Sequence, residues 1–136
     1  VALNGDIITN LNLTDVLAFH ERQGRLATVV AAPLKSPYGI IDVDADDTVA
    51  GFREKPQLPL WVNAGIYVLN RGIMDKLPDK GDHEELTFPA LAEANGLMAY
   101  KSRSFWRPVD NANDLTEVRS EMQELFLGAL FRKATA

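Results

Sequence analysis

Short apolar runs alternate along this chain with segments of helical period, and that alternation restricts it to an α/β architecture. The clearest run is Leu26 to Ala32, apolar and partly β-branched, which predicts a buried strand. Before it, Leu13, Val16, Leu17 and His20 recur at helical spacing and predict one buried helix face. Asn12 is the expected N-cap, with Asp15 as a capping-box-like partner, and Gly24 is the expected stop. Val1 to Leu3 reads as the tail of a buried strand that ends at the turn Asn4-Gly5-Asp6. A chain that begins inside a core strand is expected to be a fragment.

Further along, Ile40 to Val43 and Val49 to Phe52 predict a strand pair joined by the acidic turn Asp44 to Asp47. A loop containing Pro59 leads to an apolar run from Val62 to Leu69, broken by Asn63 and Gly65. Arg71 to Leu77 predicts a short helix stopped by Pro78. His83 to Glu85 leads into a second helix over Phe88 to Ala94, and Leu97 to Lys101 is a short strand. From 113 to 136 a last helix carries Leu115, Val118, Met122, Leu125, Phe126 and Ala129 on one face. Asn111 with Asp114, or Asn113, is its expected cap. There is no internal repeat, and residues 1–136 read as a single domain.

Charge and composition remove several function classes. The net charge is -5 and Lys and Arg are scattered, so no nucleic-acid partner is expected. No apolar run is long enough to span a bilayer, so no membrane partner is expected either. The chain has no Cys, which removes disulfides, thiolate zinc sites and Cys nucleophiles, and fits a reducing, cytoplasmic setting. His20 and His83 lie too far apart in sequence for a ligand pair, and His20 reads as structural. Asp42, Asp44 and Asp46 alternate like a calcium loop, but Asp47 and Arg53 stand where that loop needs Gly and Glu. They read as a solvated turn.

Four short stretches can carry chemistry. Asp6 follows a predicted strand, at the edge where open α/β sheets bind ligands, and a carboxylate there can hold Mg²⁺ beside substrate phosphates. Asp110 precedes the last helix, where a helix-entry Asp also suits the helix dipole. In Arg53-Glu54-Lys55-Pro56, Lys55 can act as a point charge on a phosphate and Glu54 can accept from hydroxyls. A solvated charged turn is the ordinary alternative. Asn63 can donate to and accept from a hydroxyl, beside a Gly that permits close approach, or it can mark a β-bulge. Ser36-Pro37-Tyr38-Gly39 is a loop.

In order, Leu3-Asn4-Gly5-Asp6, Ser36-Pro37-Tyr38-Gly39-Ile40, Phe52-Arg53-Glu54-Lys55-Pro56, Val62-Asn63-Ala64-Gly65-Ile66-Tyr67 and Phe105-Trp106-Arg107-Pro108-Val109-Asp110 resemble the sugar-1-phosphate nucleotidyltransferase family. The flavour is that of mannose-1-phosphate guanylyltransferases, and the resemblance runs from residue 1 to about 118. It implies a partial Rossmann-like, three-layer fold lacking the N-terminal nucleotide-binding part. It implies transfer of a nucleotidyl group from an NTP to a sugar 1-phosphate, with release of pyrophosphate. Asp6 and Asp110 would then hold Mg²⁺, and Lys55 would bind the sugar phosphate. Glu54, Asn63 and the backbone at Gly39 would line the sugar pocket, so Asp6, Lys55 and Asp110 form the expected catalytic set.

The family's Gly-rich phosphate cradle has no counterpart here, and about a domain's worth of chain is expected to be missing. The isolated chain is therefore expected to be inactive or nearly so, and to self-associate, possible homo-oligomers included, through uncovered apolar edges. The segment Leu58 to Asn63 reads as a sugar-facing loop suited to mannose or glucose 1-phosphate. A noncatalytic, nucleotide-sugar-sensing subunit of the same fold is the alternative, which intact Asp6, Lys55 and Asp110 disfavour. A glycosyltransferase is disfavoured because Ile7 and Ile8 follow Asp6 where an Asp-x-Asp is needed. A generic binding domain would leave five ordered motifs to coincidence.

Overall fold

The computed structural model describes the backbone over residues 1–134 and side chains through residue 125. Among the described residues, eight strands and three α-helices follow in this order: β1 (Ala2–Leu3), β2 (Ile7–Thr9), α1 (Leu13–Gln23), β3 (Ala27–Lys35), β4 (Ile40–Val43), β5 (Val49–Arg53), β6 (Gln57–Leu69), a 3₁₀ turn (Arg71–Lys76), α2 (His83–Glu93), β7 (Leu97–Lys101), β8 (Trp106–Pro108) and α3 (Ala112–Ala134). The main sheet has the order β1-β6-β3-β7. In it β3 runs antiparallel to β6 and parallel to β7. The fold is mixed α/β, as the alternation predicts.

Alternation along β6 divides the core between the two faces of this sheet. Ala64, Ile66 and Val68 point to one side with Val16 of α1 and Val30 and Ala32 of β3, and Ile7, Leu13 and Trp106 close over them. Tyr67 points to the other side with Ala27, Ile73 and the α2 residues Phe88 and Leu91. Helices therefore cover both faces, giving three layers. The ends of α1 are as expected: Asn12 Oδ1 accepts from Thr14 N at 3.1 Å, and Gly24 takes the left-handed conformation. His20 is structural, with its ring Nδ1 2.9 Å from Thr28 Oγ1 in the core.

Several expectations are corrected. Val1 and Leu3 are 60% and 55% exposed, because β1 is an edge strand with a single neighbour, β6. Pro59 lies inside β6 rather than in a loop. It sits where the β3–β6 register shifts between Pro33 and Lys35, a place where a missing N–H costs little. Leu58 to Asn63 is accordingly strand. Leu17 is exposed, and Phe19 turns inward instead, edge-on to Tyr100 at 5.3 Å. Residues 71–76 wind as a 3₁₀ turn, and α2 begins at His83 on its cap Asp82.

The strand β2 was not expected. It pairs antiparallel with β8 in a separate ribbon, Ile7 opposite Pro108 and Thr9 opposite Trp106. On α3, Val118 is buried, but Leu115, Met122 and Leu125 of the expected apolar face are exposed. The side chains of Phe126 and Ala129 lie outside the described residues, as does the end of the expected helix at 135–136. Its cap is the Asn111–Asp114 pair: Asn111 Oδ1 accepts from Asp114 N at 3.1 Å, and Asp114 Oδ2 accepts from Asn111 N at 3.1 Å. Among the described residues, no helix is long and apolar enough to cross a membrane.

Candidate functional site

The candidate residues fall into three groups. The first is a cavity of 330 Å³. Lys35 and Ser36 at the end of β3, Lys55 after β5, and Arg107 and Asp110 on and after β8 line it. Its far wall is α3, through Asp114, Glu117 and Glu121. Lys55 and Asp110 are thus brought together, as expected. Asp6 is not among the lining residues. Its carbonyl accepts from Val109 N at 2.9 Å, which places it across the ribbon from Val109.

Lys55 has φ 44°. A left-handed backbone at a residue with a Cβ costs on the order of 1–2 kcal/mol. Such strain persists where the surroundings hold it, and it gathers at ligand-binding positions. Ser36 N donates to Pro56 O at 2.9 Å, which fixes the chain between β5 and β6. Arg107 is held by α3: its Nη2 donates to Glu117 Oε2 at 2.7 Å, and its Nε lies 3.6 Å from Glu121 Oε2. That second distance is too long for a hydrogen bond. The buried Nε has no hydrogen-bond partner among the described residues.

The second group joins Gly39 to Glu54 across the β4–β5 hairpin. A Cβ on Gly39 would meet Glu54 Oε2 and the Phe52 ring, each at 2.9 Å. A side chain at position 39 would therefore have to displace the ends of the Glu54 and Phe52 side chains.

The third group centres on Asn63, and two of its members escaped sequence reasoning. Asn63 Nδ2 donates to Tyr67 Oη at 2.8 Å and also to Glu84 Oε1. Tyr67 Oη donates to the same Glu84 oxygen. Asn63 Oδ1 accepts from Gly65 N at 3.0 Å. The asparagine therefore uses its amide within the chain to hold the bulge that shifts register between Val29 and Ala31. Gly65 has φ 67°, and a Cβ there would meet Asn4 Nδ2 at 2.8 Å. This packs the Asn4-Gly5-Asp6 turn against the bulge. Burial, followed by the hydrogen bond to Glu84, pushes the Tyr67 phenol up to about 12. The signal for Tyr67 was its place two residues after Gly65 on a core strand. Glu84 is near in space alone, one helical step into α2.

Comparison with known proteins places these features in a family. The family profile described as "Nucleotidyl transferase" matches residues 1–124. The chain belongs to that family. It is 36% identical over 140 residues to the mannose-1-phosphate guanyltransferase of Pichia angusta, covering 96% of this chain and 37% of the relative. It is 33% identical over 141 residues to mannose-1-phosphate guanylyltransferase 1 of Arabidopsis thaliana, covering 98% and 38%. The chain thus spans little more than a third of the length of these relatives. The crystal structure of HddC from Yersinia pseudotuberculosis superposes with a TM-score of 0.58 at 21% identity, over 88% of this chain and 53% of that one. At that identity the likeness concerns the fold alone, over about half of the HddC chain.

Proposed function

We propose that this chain forms the sugar-phosphate side of an enzyme that transfers a nucleotidyl group from a nucleoside triphosphate to a sugar 1-phosphate. The observation that carries the reading is Lys55, held in a strained backbone and lining a cavity with Lys35, Arg107 and Asp110, in a chain of this family. In the reaction, an oxygen of the sugar phosphate attacks the α-phosphorus of the triphosphate. The bond from that phosphorus to the β-phosphate oxygen breaks, and pyrophosphate leaves. The nucleophile is already an anion, so no side chain needs to take a proton. The obstacle is repulsion between two anions, which fixed cations at a shared cavity lower.

Lys55 is assigned the sugar phosphate, and Glu54, with Gly39 against it, the sugar hydroxyls. Glu84 joins them, because one of its oxygens carries the Asn63 and Tyr67 bonds and the other remains to accept from a hydroxyl. Asn63 acts by holding that carboxylate in place. Mannose or glucose 1-phosphate is the assigned substrate class, supported by the guanylyltransferase relatives. The donor set fits Mg²⁺ incompletely. Asp110 lies in the cavity and Asp6 does not line it. No group of three or more His, Asp or Glu is arranged for a metal among the described residues.

The test is titration of mannose 1-phosphate, glucose 1-phosphate and N-acetylglucosamine 1-phosphate into the chain. Binding of the first two is expected, weakened at least about tenfold by Lys55→Ala. Binding of the N-acetylated sugar alone would overturn the substrate class. The 136 residues on their own are expected to show no nucleotidyl transfer. Turnover that disappears in Asp6→Ala would overturn that expectation.

A further inference from the structure

The cavity holds more charge than Lys55 and Asp110 account for. Three cations line it (Lys35, Lys55 and Arg107) against four carboxylates (Asp110, Asp114, Glu117 and Glu121). Among the described residues, neither Lys35 nor Lys55 has an ion-pair partner, whereas Arg107 has two, both on α3. Glu117 and Glu121 stand one helical turn apart and so face the same guanidinium. They satisfy it poorly, since Nε is buried without a hydrogen bond. A planar guanidinium that lines a cavity together with two lysines matches the oxygens of a phosphate group.

We propose that Arg107 is a phosphate ligand held in reserve by Glu117 and Glu121, so that α3 competes with phosphate for the cavity. This rests on the reading that the cavity takes phosphate. A phosphate entering beside Lys35 and Lys55 meets the Glu117 and Glu121 carboxylates as like charges. It takes Arg107 only as those carboxylates let go. The helix is suited to letting go. In its described part Val118 alone is buried, while Leu115, Met122 and Leu125 are exposed. The pair to Glu117 is half exposed on the carboxylate side, so little holds it.

The experiment uses inorganic pyrophosphate as probe, titrated into the full chain by calorimetry at low salt, with circular dichroism to check each variant's fold. The double variant Glu117→Gln/Glu121→Gln is expected to bind about three- to tenfold more tightly than the parent chain. Adding Arg107→Met is expected to remove the whole gain. Glu21→Gln/Glu93→Gln, an equal change of charge at exposed positions outside the cavity, is expected to give little or none. If the double variant loses its fold, Glu121→Gln alone carries the test with a smaller gain. The proposal is overturned if neutralising α3 leaves affinity unchanged or lower. It is also overturned if the gain survives Arg107→Met or appears equally in the outside control, or if no variant binds pyrophosphate. The probe contains no sugar. Tightening without any sugar-phosphate binding would keep the competition by α3 and sink the sugar reading. Lys55-dependent sugar-phosphate binding with no effect at Glu117 and Glu121 would do the reverse.

Discussion

The Asn63–Tyr67–Glu84 cluster is built from β6 and α2, and the Lys35–Lys55–Arg107 cavity from the end of β3, the turn after β5 and β8; the two are satisfied to opposite degrees. In the cluster, donors and acceptors meet each other inside the chain: the asparagine amide, the phenol and one carboxylate oxygen close a network against the buried ring of Tyr67. In the cavity, two lysines have no ion-pair partner among the described residues, and an arginine keeps one N–H unbonded. A satisfied network fixes geometry, because any movement costs hydrogen bonds in a poorly solvated place. An unsatisfied one leaves its interaction capacity for something else. The first region is thus the jig and the second is the seat.

That contrast can be broken in several ways. The largest effect is expected from the frame that carries both regions: Ile66→Ala, at a fully buried position, should cost about 2–5 kcal/mol in urea unfolding. A loss below 1 kcal/mol would mean that the inner sheet is loosely packed. Next, Gly65→Ala should cost about 1–3 kcal/mol, since its φ of 67° and the Asn4 side chain both oppose a Cβ. The loss should also show as a displaced Asn4-Gly5-Asp6 turn in amide exchange.

Tyr67→Phe should cost about 1–3 kcal/mol by stranding Glu84 and Asn63 in a half-buried site. The same phenol makes a pH prediction. Its folded value is raised to about 12 from an ordinary 10. Its contribution to stability is therefore present in full below pH 10 and is lost as pH rises through about 12. Tyrosinate absorbance should show one phenol ionising late, and Glu84→Gln should bring it earlier. The smallest effect has the opposite sign. Lys55→Gly should stabilise the chain by up to about 1 kcal/mol by releasing the left-handed strain, while removing sugar-phosphate binding. Stability lost at Lys55 would make it part of the jig and erase the distinction.

Local features were the legible ones. Asn12 and Gly24 bracket α1 because caps act within a turn of the residue that makes them. Leu26 to Ala32 read as strand because its apolar content suits a sheet buried on both faces. Legibility failed where the partner is distant. Ile7 to Thr9 becomes strand only because Trp106 to Pro108 lies beside it, and no local period announces three residues. Pro59 argued for a loop and was overruled by pairing to β3. Leu115, Met122 and Leu125 carry the period of a buried face, yet nothing described covers them. The candidate site divides in the same way. Lys55, Asp110, Gly39 and Glu54 stand out by motif. Lys35, Arg107 and Glu84 are ordinary charged residues in sequence, and their interest comes from what folding sets beside them.

The β2–β8 ribbon also bears on when the molecule becomes competent. Thr9 Oγ1 donates to the carbonyl of Phe105, 96 positions away, and Asn10 Oδ1 accepts from Phe105 N. A contact of that span closes a long loop for little local return, so it belongs late in folding, after the β4–β5 hairpin and the β3–β6 pair have formed. During synthesis Ile7 to Thr9 must wait for Trp106 to Pro108 to emerge from the ribosome before the ribbon can close. Contacts made after the rate-limiting step chiefly govern how fast the native state opens. Weakening the ribbon should therefore hasten unfolding far more than it slows refolding, and a chain not yet made as far as Trp106 would leave Ile7 to Thr9 unpaired.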